Sequence, residues 1–320
     1  MNMSGKKIKL FLITICLVLA AGITLVFVVA APIVDTQNSY IEVQEVSLPS
    51  EEIQQPTRAE MIMKAIAEAY PRYISNVEFR NGDWTVLLRD TWFYYAEGRL
   101  LPEDLRDRVS EYRPHFFYEN YPRELPPWTE PTTEQIGFYT EWSQVRGVQV
   151  PRSTYFLDTL YNVRNREESS RQVSSIRFLG KQITVHNAIH EILALVEERI
   201  LEASRTDSSV SAYVNDIDRM YGWTWRDIAG TQNRSYHAYG VALDIMPRTL
   251  GGREVFWSWA GPNWWSIPYE RRHHPPDAVI EIFERHGFLW GGKWPTFDTI
   301  HFEFRPEVFT LSGIEIVILR

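Results

Sequence analysis

The sequence predicts an α+β fold: a small antiparallel sheet with flanking helices, together with an N-terminal membrane helix and an accessory region with β-hairpins. Three patterns support this prediction. Residues 10–31 carry no charged side chain. Apolar residues alternate with other residues at 241–245 and 301–304, as in half-buried strands. Apolar residues recur every three or four positions at 185–203 and 277–286, as in amphipathic helices.

The uncharged segment 10–31 follows three lysines within the first nine residues. Its 22 residues would form a helix of about 33 Å, which is enough to cross a bilayer core of roughly 30 Å. The apolar part of a signal peptide is usually shorter, so we predict an uncleaved signal anchor. The small residues before Pro32 keep cleavage and secretion as the alternative. The positive-inside rule then predicts a single-pass protein of the cell membrane, with residues 32–320 extracytoplasmic, in the periplasm or at the cell surface.

The chain beyond the anchor divides by composition. Residues 32–57 are largely polar and contain prolines, which predicts a linker. Residues 58–70 have helical apolar spacing, and Asn81-Gly82 between alternating residues predicts a β-hairpin. Five prolines at 103–133 predict an irregular segment. The predicted domains are a cytoplasmic basic tip and signal anchor at 1–31, a linker at 32–57, an accessory region of unknown role at 58–175 and a C-terminal domain at 176–320.

The charge balance argues against nucleic acid as a partner. The chain has 41 acidic and 33 basic residues, and three of the bases precede the first acid, so the part after residue 31 has 41 acids against 30 bases. A nucleic-acid-binding protein would need a basic face. Cys16 is the single cysteine, which excludes an internal disulfide framework and a multi-cysteine metal site. Any metal outside the membrane must therefore be held by histidine and carboxylate side chains.

The first chemically suggestive segment is residues 227–247. Strand alternation at Val241, Leu243 and Ile245 places Asp244 on the face opposite these apolar side chains. His237 lies seven residues earlier, with Gly240 between them. A carboxylate flanked by core residues needs a partner, and a metal ion is one such partner. A solvent-exposed aspartate is the alternative that this segment alone leaves open.

The second segment is residues 286–307, in which His301 and Glu303 share one face of a predicted strand. Asp298 precedes His301 by three residues, so the two side chains can share a site only if Asp298 lies on the loop before the strand. Two neutral imidazoles and one carboxylate suit a catalytic Zn²⁺ because they leave a fourth position for water. A second, unbound carboxylate would serve as general base and then as proton donor.

Two motifs in these segments resemble a family of zinc peptidases. Residues 235–244, SYHAYGVALD, resemble its S-x-H-x-x-G-x-A-x-D signature, and residues 298–301, DTIH, resemble its second signature, an acid and a histidine separated by two residues. The family comprises D-alanyl-D-alanine carboxypeptidases, D-alanyl-D-alanine dipeptidases and L-alanyl-D-glutamate endopeptidases of peptidoglycan. The resemblance covers roughly residues 180–310, so it makes 176–320 a zinc peptidase domain with a Hedgehog/DD-peptidase-like fold.

The resemblance implies that one Zn²⁺ is bound by His237, Asp244 and His301 and that Asp298 is the catalytic base. The carboxypeptidase branch usually has Glu at the base position, so Asp298 resembles the endopeptidase branch more closely. For the family's transition-state arginine, Arg226 is the candidate and Arg234 the competitor, and a surface ion pair is the alternative for each.

Four further residues are weaker candidates for substrate or transition-state contacts. Glu303 is an alternative base or a residue that orients a ligand. Ser235 belongs to the first motif. Trp290 and Trp294 are expected to frame the cleft, because glycines between them interrupt regular structure.

The sequence thus predicts a zinc metallopeptidase that hydrolyses bonds next to D-amino acids in peptidoglycan stem peptides, either D-Ala-D-Ala or L-Ala-D-Glu. A catalytically silent cell-wall-binding module on the same fold is the alternative. The expected partners are stem peptides and, through residues 10–31, the membrane.

Overall fold

The computed structural model describes residues 55–115, 117 and 121–319. The predicted membrane helix at 10–31 lies outside these residues. Within the described part of the chain, none of the helices has the length and apolar character needed to cross a membrane.

The α-helices of the described residues are named α1 to α9 in chain order. They are α1 (Arg58–Ala69), α2 (Thr133–Val145), α3 (Tyr155–Tyr161), α4 (Arg166–Gln172), α5 (His190–Ala203), α6 (Ser208–Asp216), α7 (Tyr236–Tyr239), α8 (Asp277–Arg285) and α9 (Pro306–Leu311).

The strands form small antiparallel sheets, as predicted. They are β1 (Ile74–Arg80), β2 (Asp83–Leu88), β3 (Thr91–Tyr94), β4 (Leu101–Pro102), β5 (Val173–Phe178), β6 (Lys181–His186), β7 (Ile217–Tyr221), β8 (Ala242–Pro247), β9 (Phe288–Trp290) and β10 (His301–Phe304). Their orders are β1-β2-β3-β4, β5-β6 and β7-β8-β10-β9.

The N-terminal sheet begins with the predicted hairpin. Asn81 and Gly82 connect β1 to β2, and both have positive φ angles, of 50° and 85°. This backbone suits a two-residue turn between twisted strands, and asparagine and glycine adopt it at low cost. The hairpin prediction is therefore confirmed.

The sheet β7-β8-β10-β9 has one apolar face and one polar face. Leu243 and Phe302 are paired across β8 and β10 and are fully buried. The ring of Phe302 stacks on Phe283 of α8 at a centroid distance of 4.0 Å. Because side chains alternate along a strand, the neighbours of Leu243 and Phe302 are directed to the opposite face. Burial of one face against α8 thus fixes which side chains line the other.

One predicted helix starts later than expected. The apolar spacing at 185–203 predicted a single helix, but residues 181–186 form β6 and α5 begins at His190. Val185 pairs with Ser174 of β5, and the His186 amide donates to the Gly240 carbonyl at 2.8 Å. These long-range hydrogen bonds outweigh the local helical pattern. The predicted helix at 277–286 is confirmed as α8.

The two segments predicted as accessory region and peptidase domain share one hydrophobic core. Ile62 and Ile66 of α1 belong to the same buried cluster as Val196 of α5 and Phe302. Helix α1 also packs on α9, where the Thr310 hydroxyl donates to the Ala65 carbonyl at 3.0 Å. The functional division at residue 175 remains a prediction.

Candidate metal centre

His237 lies in the short helix α7, where the backbone fixes its ring. Its Nδ1 lies 2.6 Å from the carbonyl oxygen of Gly222. A carbonyl oxygen only accepts hydrogen bonds, so Nδ1 carries the proton and the lone pair is on Nε2. The helix ends at Gly240, whose φ is +73°, and a Cβ there would lie 2.8 Å from the His186 amide nitrogen. Glycine is therefore needed to turn the chain from His237 into β8.

Asp244 and His301 are direct cross-strand partners on β8 and β10. Oδ1 of Asp244 lies 2.9 Å from Nδ1 of His301 and 3.2 Å from Nε2 of His237. The two histidine nitrogens are 3.2 Å apart. Three atoms that can each donate a lone pair thus converge on one point, and this cluster can hold a metal ion.

The electrostatics of the cluster also favour a cation. Burial raises the pKa of Asp244, but hydrogen bonds and charge from His237 and His301 outweigh this effect and hold it far below its usual range. Burial lowers the pKa of His301, but Asp244 and Glu303 raise it to about 10. The carboxylates therefore stabilise positive charge where the three ligand atoms meet. The same carboxylates would stabilise a divalent cation, so the residues fit a metal ion.

Asp298 lies in the loop before β10, as the motif spacing required. Its backbone carbonyl accepts from the His301 amide at 3.2 Å. Its side-chain Oδ1 is buried and has no hydrogen-bond partner among the residues that the structure describes. Burial, together with the charges of Asp244 and Glu303, raises the pKa of Asp298 to about 7, although His301 and Arg226 lower it. A buried carboxyl with an unsatisfied oxygen and a pKa near neutrality is suited to accept and return a proton.

The raised pKa of Asp298 predicts a pH dependence of the metal-free protein. The carboxyl titrates near 7 when folded and near its ordinary 3.8 when unfolded. Between these pH values the folded protein holds the proton and the unfolded chain does not. The contribution of this carboxyl to the free energy of unfolding is therefore complete below about pH 4 and is lost as the pH rises to about 7. Relative to the Asp298→Asn variant, wild-type protein should lose unfolding free energy across this interval in denaturant titrations with chelator present. Parallel pH profiles for the two proteins would contradict the prediction.

Glu303 contacts the far side of the His301 ring. Its Oε2 lies 3.2 Å from His301 Nε2, and its Oε1 lies 3.5 Å from an Arg305 guanidinium nitrogen. Arg305 also pairs with Glu307, which accepts from the Tyr70 hydroxyl at 2.7 Å. All of these side chains are buried. Of the two roles considered for Glu303, the geometry favours orienting His301 over acting as base.

Replacing Glu303 with glutamine is expected to weaken metal binding by about 10- to 100-fold, the usual effect of removing a partner of a metal-binding histidine. The amide keeps the shape but removes the charge that fixes the ring and its proton. Competition with a fluorescent chelator measures the affinity. Glu202→Gln, on the exposed surface of α5, is the matched control, and equal affinities for both variants would refute this role.

The structure separates the two candidate arginines. Arg226 is exposed, pairs with no carboxylate among the described residues, and lies near enough to lower the pKa of Asp298. Arg234 instead forms an ion pair with Asp158, and its guanidinium lies 4.6 Å from the Trp225 ring centroid. Arg226 is therefore available to a substrate, whereas Arg234 stabilises the fold.

This difference predicts that one of two matched substitutions lowers activity and the other lowers stability. Arg226→Ala should leave the unfolding midpoint unchanged and lower kcat by about 100-fold, because an oxyanion contact is lost. Arg234→Ala should lower the free energy of unfolding by about 3 kcal/mol, because Asp158 loses its buried partner. Thermal unfolding and peptide hydrolysis measure both effects. If Arg226→Ala proved the less stable variant and kept full kcat, the assignment would be reversed.

The expectation that Trp290 frames the cleft is wrong. Its side chain is 1% exposed, and its indole nitrogen donates to the Thr299 carbonyl at 2.8 Å. A Cβ on Gly292 would lie 2.1 Å from this ring. The glycines therefore allow the backbone to pack tightly on Trp290 instead of opening a cleft.

Trp294 and Ser235 have different positions. Trp294 is half-buried, its ring centroid lies 5.4 Å from that of His301, and it borders the site as expected. Ser235 is buried, and its hydroxyl accepts from the His237 amide at 3.3 Å as the N-cap of α7. Ser235 thus positions His237, and its predicted contact with substrate remains untested.

Two contributors to the site carry no sequence signal. Gly222 acts through its carbonyl oxygen, and glycine is needed there because a Cβ would lie 2.2 Å from the Thr184 carbonyl oxygen, a contact that the sequence does not reveal. Arg305 lies one residue beyond β10, and only its burial beside Glu303 and Glu307 reveals its part in the network.

The fold and site together are those of a cluster that could hold a metal ion, His237, Asp244 and His301, on an antiparallel sheet with the carboxyl group of Asp298 beside it. Comparison with protein families gives a matching result, since residues 229–304 match the family model described as D-alanyl-D-alanine carboxypeptidase. The match contains His237, Asp244, Asp298 and His301, so the family resemblance is confirmed over this part of the chain. Residues 62–117 match a domain of unknown function. No solved structure matches the chain.

Proposed function

We propose that the protein is a zinc peptidase that hydrolyses peptide bonds next to D-amino acids in peptidoglycan stem peptides. The observation that carries the proposal is the convergence of three ligand atoms, from His237, Asp244 and His301, beside Asp298. The family match over residues 229–304 supports it.

His237, Asp244 and His301 would hold the zinc ion. When bound, zinc supplies Lewis-acid polarisation of a carbonyl and lowers the pKa of water. The proton on His237 Nδ1 is held by the Gly222 carbonyl, and Glu303 faces Nε2 of His301. These contacts fix both rings so that Nε2 of His237 and Nδ1 of His301 face Oδ1 of Asp244, where the three atoms would hold the ion.

Asp298 would carry the proton. Its unpaired Oδ1 accepts a proton from the attacking water and returns it to the amine of the leaving group. Because burial raises its pKa to about 7, the carboxyl holds the proton at neutral pH long enough to deliver it. Arg226, exposed near Asp298, would stabilise the negative charge that develops on the carbonyl oxygen.

The bond cleaved and the location of the protein belong to the same proposal. An aspartate at the base position resembles the endopeptidase branch, which favours L-Ala-D-Glu over D-Ala-D-Ala. An anchor at residues 10–31 would place the domain outside the cytoplasm, where this substrate lies. Cleavage after the anchor would release the same domain.

Mass spectrometry of purified stem peptides after incubation with the zinc-loaded protein tests the proposal. We expect two fragments that define the bond, and we expect none when chelator is present. Intact peptide with wild type and with Asp298→Ala alike would reject the peptidase. Zinc-free protein that nevertheless binds stem peptide would instead support a silent wall-binding module.

A further inference from the structure

Aromatic side chains form a surface cluster next to the metal centre. Five of the chain's 12 tryptophans belong to it. We call it the aromatic surface cluster; its members are Trp142, Phe256, Trp257, Trp259, Trp264 and Trp265.

The rings of the cluster contact one another without interruption. Trp142 of α2 lies 5.5 Å from Trp257 between ring centroids, and Trp257 lies 5.1 Å from Trp264. Phe256 lies 5.6 Å from Trp259 in an edge-on arrangement. The guanidinium of Arg146 is 4.7 Å and 4.8 Å from the rings of Trp142 and Trp257. The cluster is therefore one continuous surface.

Packing accounts for part of this cluster, because Tyr139 and Trp142 of α2 contact Trp264, Trp265 and Trp257, but it does not account for the exposed ring of Trp259. Among the described residues, none of the six belongs to a hydrophobic core cluster. Trp264 is buried, four members are partly buried, and Trp259 at the edge of the cluster is 66% exposed. Large aromatic side chains usually gain stability by burial, and contiguous exposed apolar patches commonly mark binding sites.

The cluster adjoins both loops that flank the metal centre. Phe256 forms an antiparallel bridge with Asp298, and the Trp257 amide donates to the Phe297 carbonyl at 2.9 Å. On the other side, Arg146 donates to the Ala229 carbonyl at 2.6 Å, three residues after Arg226. A polymeric substrate seated at the metal centre can therefore extend onto the cluster.

The chemistry of the cluster selects a neutral, ring-shaped ligand. Aromatic faces carry a negative potential and attract the weakly positive C–H groups on the flat side of a sugar ring. Arg146 lies against the rings of Trp142 and Trp257, whereas no cation of the described residues lies over the exposed ring of Trp259. Sugar rings fit these properties better than the charged stem peptide does.

We propose that the aromatic surface cluster binds sugar rings of the glycan strand whose stem peptide is hydrolysed at the adjacent metal centre. This inference rests on the proposed function for its choice of polymer. A second copy of the chain is the other occupant that an exposed aromatic surface could bind, and sedimentation distinguishes it from a glycan.

The first measurement is binding of a soluble tetrasaccharide of β-1,4-linked N-acetylglucosamine to the full chain, followed by tryptophan fluorescence and calorimetry. Trp259→Ala is expected to weaken binding about 10-fold, the order of loss found when a ring that stacks on a nucleic-acid base is removed. Trp259→Tyr should restore part of it. Phe79→Ala removes a ring of similar exposure, 62%, from the distant hairpin and should bind as wild type. No binding by wild type, or equal binding by Trp259→Ala, would overturn the inference.

The second measurement separates this inference from the proposed function. The ratio of hydrolysis rates on intact peptidoglycan and on free stem peptide should fall about 10-fold in Trp259→Ala and stay constant in Phe79→Ala. A wild-type protein that cleaves neither substrate would defeat the proposed function, while tetrasaccharide binding would still decide the role of the cluster. Sedimentation that shows a dimer in wild type and a monomer in Trp259→Ala would assign the cluster to self-association and overturn the inference.

Discussion

Replacing Asp298 with asparagine is expected to lower kcat by about 10²- to 10⁴-fold while metal binding is retained. Asparagine has the same shape but cannot accept a proton at neutral pH. Oδ1 of Asp298 has no hydrogen-bond partner among the described residues, so the substitution breaks no side-chain contact of this atom. The loss should therefore appear in the chemical step and not in folding.

Hydrolysis rates and zinc content of the same preparation measure this effect. Asp298→Asn should contain as much zinc as wild type and unfold at a temperature no lower than that of wild type. Asp227→Asn, on the exposed loop beside Arg226, is the control and should keep its activity. Full activity of Asp298→Asn would show that another group is the base. Loss of zinc from Asp298→Asn would show that Asp298 is a metal ligand.

Replacing His237 with alanine is expected to weaken metal binding by more than the roughly 100-fold seen when an outer partner of a ligand is lost. Nε2 of His237 is one of three atoms that converge on the site, at 3.2 Å from both Asp244 and His301. Without it, two ligands remain, and the imidazole that balances Asp244 is gone. Activity should be lost together with the metal.

Chelator competition measures the affinity of His237→Ala, and His190→Ala is its matched control. His190 begins α5 and lies outside the metal cluster, where its Nε2 approaches the Val185 carbonyl at 3.4 Å. We expect His190→Ala to bind zinc as wild type does. Equal affinities in the two variants would exclude His237 as a ligand.

The strands that carry the site were predictable because their signals are local. Alternation at 241–245 and 301–304 identified β8 and β10 and placed Asp244 and His301 on polar faces. Spacing alone also required Asp298 to lie on a loop, because an odd separation on a strand would direct it away from His301. The structure agrees in both respects.

Other features depend on contacts between distant residues. The apolar pattern at 185–189 fits a helix equally well, and pairing with β5 decides that residues 181–186 form a strand. Trp290 was expected to frame the cleft because of the glycines that follow it, but those glycines allow close packing on a buried ring. The link from Glu303 through Arg305 and Glu307 to Tyr70 joins residues 237 positions apart in its last hydrogen bond. No local pattern encodes such a network.

That network gives the N-terminal region a physical connection to the metal centre. Tyr70 lies within residues 62–117, which match a domain of unknown function, and its hydroxyl donates to Glu307. Helix α1 packs on α9, which carries Glu307. The accessory region thus contributes to the buried surroundings of His301.

Anomalous diffraction at the zinc absorption edge, from crystals of the zinc-loaded protein, tests the metal centre most directly. The structure predicts a peak bounded by Nε2 of His237, Oδ1 of Asp244 and Nδ1 of His301, with the Asp298 carboxyl beside it and not bound. A peak elsewhere in the domain, or none at full zinc loading, would contradict the metal centre and the peptidase mechanism built on it.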